Sequence, residues 1–115
     1  MKIYISGPIS GVADAEENFK KAEEYLKFLG YDPLNPMDIP APAVDGLFVH
    51  DSTFKLEKRE LWVYYMRKAI KMLMEADSVY FLDGWENSAG ARVERQLTKA
   101  LSLPALFEAE DINRV

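Results

Sequence analysis

Apolar positions along this chain follow two periods in turn, and their succession lays out a β-α-β order. Lys2 to Ser6 reads as a short strand, followed by the turn Gly7-Pro8-Ile9-Ser10-Gly11. Asp14 and Glu17 then resemble a capping box, and Phe19, Ala22, Leu26 and Leu29 fall on one helical face that Gly30 ends as a C′ glycine. Tyr31 to Leu34 is a second short strand, closed by Asn35-Pro36. A βαβ opening of this kind predicts parallel strands with a right-handed crossover.

Periodicity is lost from Pro36 to about Lys58, where prolines stand at 36, 40 and 42. So long a loop reads as a flap over a site or an arm to a neighbour. It carries the apolar tripeptide Leu47-Phe48-Val49 and the single histidine, His50, which is expected at the surface. Glu60 to Ala76 is the strongest helical pattern. Its polar face is narrow, and the apolar arc is wider than one sheet face covers, which predicts a homo-oligomer, at least a dimer, built on this helix.

Val79 to Leu82 is an unbroken apolar run ending at Asp83-Gly84, the pattern of a parallel strand buried on both faces. Asn87 or Ser88 then caps a helix that begins at Ala89, and Leu103 to Phe107 is a last strand before a polar tail, Glu108 to Val115. The order predicts one domain over residues 1–115. Its fold class is α/β, a small doubly wound parallel sheet, Rossmann-like or flavodoxin-like, of four to five strands flanked by helices. A strand order 2-1-3-4 puts the switch point between strands one and three.

In the helix after Ser88, Gly90, Val93, Leu97, Ala100 and Leu101 share one face, and Arg92, Arg95, Gln96 and Lys99 the other. Glu94 falls inside the apolar arc. A carboxylate aimed at a core is costly unless it is paired, hydrogen-bonded or used, and the small Gly90 one turn earlier leaves room for a ligand beside it. The alternative is a structural Glu at the rim of the sheet. The switch point brings the Ser6-Gly7-Pro8 turn beside Asp83 and the helix start at Ser88 to Gly90. An anion there would meet backbone N–H groups from both.

Composition narrows the chemistry. The chain has 115 residues, no cysteine, one histidine and a net charge of −5. Disulfides, thiolate metal sites and Cys nucleophiles are thereby excluded, and neither a metal nor another cofactor is expected. The negative charge argues against a nucleic acid polymer as partner, though not against a single bound nucleotide. No segment approaches the roughly 18 apolar residues that span a bilayer, so no membrane association and a cytoplasmic location are expected.

With these segments placed, the chain resembles the nucleoside 2-deoxyribosyltransferase-like superfamily, and within it a group of small uncharacterised domains. The resemblance is carried by IYISGPISG at the N-terminus, Asn35-Pro36, Tyr65-Met66-Arg67, Ala76-Asp77 and the run LDGWENSAGARVE. Ser88-x-Gly90-x-x-x-Glu94 is similar to the family's Ser-x-Gly-x-x-x-Glu, and the glycine-rich turn is similar to that of its deoxynucleoside monophosphate N-glycosidases. The resemblance implies cleavage or transfer at the N-glycosidic bond of a nucleoside or nucleoside 5′-monophosphate, with Glu94 as nucleophile or cation stabiliser. It further implies that Ser6, Gly7, Pro8, Ile9, Ser88 and Gly90 hold phosphate and sugar. Trp85 or Tyr65 is the candidate to stack on the base, with a core or interface place as the alternative for Trp85. The family's second acid, eight residues before the position of Asp77, is here Ala69, and Asp83 is the nearest substitute. A non-catalytic binder or sensor of a nucleotide-like ligand is the second reading.

Overall fold

The computed structural model describes residues 1–42 and 58–113, the side chains of the last three excepted. Four strands, β1 (Lys2–Ser6), β2 (Asp32–Leu34), β3 (Ser78–Phe81) and β4 (Ala105–Phe107), form one sheet in the order β2-β1-β3-β4. Every pairing is parallel, with Tyr4 opposite Val79 and Ser6 opposite Phe81. The helices are α1 (Ala15–Phe28), α2 (Lys58–Leu73), α3 (Ala89–Ala100) and a short α4 (Glu108–Asn113). The expected strand order and fold class are therefore present.

Alternation along the two central strands divides the core. Ile3, Ile5, Tyr80 and Leu82 point to one face and pack with Phe19, Ala22 and Leu26 of α1. Tyr4, Val79 and Phe81 point to the other, against Ala69, Leu73 and Ala76 of α2 and its C-terminal turn. Both central strands are covered on both sides, which is why β3 reads as a continuous apolar run rather than an alternating one.

Several boundaries differ from the sequence reading. α1 ends in a Schellman closure, in which the Gly30 N–H donates to the Lys27 carbonyl and the Tyr31 N–H to Leu26, with Gly30 at φ +89°. Leu29 sits at that cap and is exposed, so it leaves the apolar stripe. Asp14 holds the N-cap position without a side-chain bond, so the expected capping box does not form. α2 already includes Lys58 and closes at Leu73, three residues before the expected end. The supposed polar tail folds into α4, whose Glu108 accepts the Asp83 N–H at 2.9 Å. Leu47-Phe48-Val49 and His50 lie outside the described residues. Among the described residues no helix is long and apolar enough to cross a membrane.

The end of β1 is pinned to the end of β3. The Leu82 N–H donates to the Ser6 carbonyl at 2.8 Å, and a Cβ built on Gly7 would stand 2.8 Å from the Leu82 Cβ. Gly7 is thus required by close approach to an inflexible neighbour. Gly11, with φ +76° and open space around it, is required only by its backbone angle. Gly7→Ala is expected to lower unfolding free energy by about 1–3 kcal/mol, the usual cost of overpacking. Urea denaturation measures it, and a variant as stable as the parent contradicts the packing account.

Candidate functional site

Tyr4 and Ser6 are two residues apart on β1, so their side chains leave the same sheet face. α3 crosses above that face and lowers Glu94 between them. The Tyr4 hydroxyl donates to Glu94 Oε2 at 2.6 Å and the Ser6 hydroxyl to Oε1 at 2.6 Å. All three residues are buried, Glu94 at 5% exposure, Tyr4 and Ser6 at 1% each.

The orientation of α3 follows from its ends. Ser88 is the N-cap, with its Oγ accepting the Ala91 N–H at 3.2 Å, and Asn87 instead closes the preceding 3-10 turn, Trp85–Asn87. The buried face of α3 is Ala91, Glu94 and Thr98. This corrects the face expected from hydrophobicity, because Val93 and Leu101 are exposed and Arg95 is half-buried. Arg95 is drawn inward by aromatic surface, its guanidinium lying 5.7 Å from the Phe81 ring centre and 5.3 Å from that of Phe107. Thr98, fully buried, donates its hydroxyl to the Arg95 carbonyl at 2.6 Å.

The electrostatics of Glu94 set two effects against each other. Burial penalises the charged carboxylate and raises its pKa, while the hydrogen bonds from Ser6 and then Tyr4 oppose that rise, and burial prevails. Each hydrogen bond to a charged group contributes about 1.5–3 kcal/mol, against an effective cost of several kcal/mol for burying an ion. Tyr4 is held well above its ordinary value, first by burial, then by the neighbouring Glu94 charge and the bond to it, so it remains a donor. The donors are neutral. They orient the carboxylate without cancelling its charge.

Gly7 and Pro8 join the site's edge, where the Pro8 Cγ is 3.8 Å from the Cβ position of Gly84, so the turns after β1 and β3 do converge. Ile9 and Asp83 are exposed, and Asp83 is tied by its N–H to Glu108 rather than to the Glu94 cluster. Trp85 packs on Phe81 and Phe107, with ring centres 5.2 and 6.1 Å away, and Tyr65 packs edge-on to Tyr64 at 5.2 Å. Gly90 does not leave open room beside the acid. The Met66 Sδ stands 2.9 Å from where a Gly90 Cβ would be. Sequence reading missed Tyr4, whose signal was its period-two spacing from Ser6.

A cavity of about 250 Å³ opens past the C-terminal ends of β3 and β4, lined by Phe81, Trp85 and Phe107 with Asp83, Glu86 and Glu110 at its edge. Neither Glu94 nor Ser6 lines it. No cluster of groups able to hold a metal occurs among the described residues.

A 2-deoxyribosyltransferase structure from Bacillus psychrosaccharolyticus is similar with a TM-score of 0.64 and 20% identity, over 93% of this chain and 71% of that one. A conserved protein from Enterococcus faecalis V583 is similar with a TM-score of 0.62 and 20% identity, over 93% of this chain and 62% of that one. At these identities the likeness shows the shared fold. No curated protein matches the sequence. A family profile described as Domain of unknown function (DUF4406) matches residues 1–107.

The raised carboxyl pKa gives a signed expectation. Below about pH 4.3, the ordinary glutamate value, Glu94 is protonated in both folded and unfolded chains. As pH rises past that value the unfolded chain ionises first, so stability contributed by this group is lost up to the folded pKa. Glu94→Gln should therefore gain stability relative to the parent as pH rises from 4 to 8. Urea midpoints of both proteins across that range measure it, and a gap that widens toward low pH contradicts the assignment.

Proposed function

We propose, for a chain that belongs to the DUF4406 family, that it cleaves or transfers at the N-glycosidic bond of a nucleoside or nucleoside 5′-monophosphate. Glu94 is the nucleophile or the stabiliser of the sugar cation. The observation that supports this reading most is a buried carboxylate held by two neutral hydroxyls at the C-terminal side of a parallel sheet, where ligands of open α/β folds bind. A structural acid at 5% exposure would ordinarily carry a cationic partner. An acid met only by neutral donors is suited to charge that develops on a substrate.

In the chemistry proposed, a Glu94 oxygen bonds to the sugar's anomeric carbon while the carbon–nitrogen bond breaks and its electron pair leaves with the base, which takes up a proton. Water or a second base then displaces the carboxylate. Tyr4 and Ser6 keep the carboxylate oriented through both steps. The turn Ser6 to Ile9 and the start of α3 supply backbone N–H groups for a phosphate or sugar hydroxyl. Ala89 and Gly90, in the first turn, have no intrahelical acceptor for theirs.

Two observations favour the second reading, a non-catalytic binder or sensor. Ala69 occupies the position of the family's second acid, and Asp83 is exposed rather than buried with Glu94. Incubating the protein with nucleosides and 5′-monophosphates and separating free base by chromatography decides between them. Product supports the enzyme, and ligand-induced melting shifts without product support the binder. Glu94→Gln is expected to lower product formation by at least about a hundredfold, the scale of losing an electrostatic transition-state contact. Unchanged turnover in that variant rejects the catalytic role.

The assembly proposed with this function is a homo-oligomer. Trp62 on α2, Met74 just past its end, Val93 on α3 and Leu101 at its C-cap are large apolar side chains left exposed. A second copy covering them accounts for that exposure. Light scattering at micromolar concentration should give at least a dimer, and Ile70→Glu should dissociate it. A monomeric parent protein removes the idea.

A further inference from the structure

The Glu94 carboxylate is nearly closed off. Tyr4 and Ser6 occupy one oxygen each at 2.6 Å, and both are fixed in the core at 1% exposure. One turn before Glu94 on the same helix, the space that Gly90 leaves is filled by Met66 of α2, with its Sδ 2.9 Å from the Gly90 Cβ position. The neighbours differ in how easily they yield. Tyr4 and Ser6 are strand residues held by short bonds to a charge, whereas Met66 is half-buried, unbranched and rotates about three side-chain bonds. The buried residues of its helix are Ala69 and Leu73, and Met66 is not among them. The open cavity near β4 gives no alternative entrance, because its lining does not reach Glu94.

We propose that Met66 controls access to Glu94, its thioether filling the Gly90 space in the empty protein and swinging out to admit a sugar. The inference rests on Glu94 being the reacting acid for its functional meaning, but not for its test. Gly90 then serves as the berth for a movable side chain, and Met66 sets how large a group reaches the carboxylate.

The test reads access directly. The folded protein is treated with a water-soluble carbodiimide and glycine methyl ester, and the rate of amide formation at Glu94 is followed by peptide mapping. Reaction through an open minority state scales with its population. Met66→Ala is expected to raise the rate by about tenfold, and Val63→Ala, which thins α2 one turn away, to leave it within about twofold. Equal rates in Met66→Ala and the parent overturn the proposal, as does an equal rise in Val63→Ala. If the alanine variant does not fold, Met66→Leu keeps the volume with a stiffer branched chain. It should slow labelling about threefold, and an unchanged rate overturns the proposal. Turnover by Glu94→Gln remains the separate check on the chemistry, so failure of the catalytic reading and failure of the gate are distinguishable.

Discussion

The pair of hydroxyl bonds from one strand to one buried carboxylate is the constraint on which this structure turns. Glu94 takes up core volume that an apolar residue would fill at lower cost, and it stays there because Tyr4 and Ser6 meet both of its oxygens. That meeting requires β1 and α3 to keep a fixed separation and rotation. The Ser88 cap sets where α3 begins, and the Leu82 to Ser6 bond together with the Gly7 contact sets where β1 ends. Core packing of the sheet and geometry of the site are therefore one arrangement.

A consequence is that α3 is rotated away from its own most hydrophobic face. Val93 and Leu101 are turned outward so that Glu94, Ala91 and Thr98 can face the sheet. Hydrophobic burial of about 25 cal/mol per Å² argues for the opposite rotation. Three features compensate: the hydroxyl bonds on Glu94, the Thr98 bond to the Arg95 carbonyl, and the stacking of Arg95 over Phe81 and Phe107. The displaced apolar face adjoins that of α2, where a second copy is proposed.

Much of this was legible in the sequence where a single period governed. The continuous apolar run of β3 announces a strand covered on both faces, and the full succession of strands and helices predicts the order β2-β1-β3-β4 that the sheet has. Glu94 stood out as an acid among apolar neighbours. The partners of that acid were harder to read, since Tyr4 lies 90 positions away and only strand alternation links it to Ser6. The face of α3 was misread because a wheel weighs hydrophobicity and cannot register hydroxyls on another element. The small Gly90 suggests space for a ligand, whereas that space is filled across the helix pair by Met66, a contact between elements that local sequence does not encode. α4 reads as a tail in the sequence because one or two helical turns of mostly polar residues carry no apolar period.

The claim that Tyr4 and Ser6 together hold the buried Glu94 is tested most directly by titrating its side-chain carboxyl by carbon-13 NMR in the parent, Tyr4→Phe and Ser6→Ala proteins. The account predicts a pKa above the ordinary glutamate value in the parent and a further rise in each variant, because each loses a bond that favours the charged form. A Glu94 that titrates in the ordinary range and is indifferent to both substitutions would contradict it.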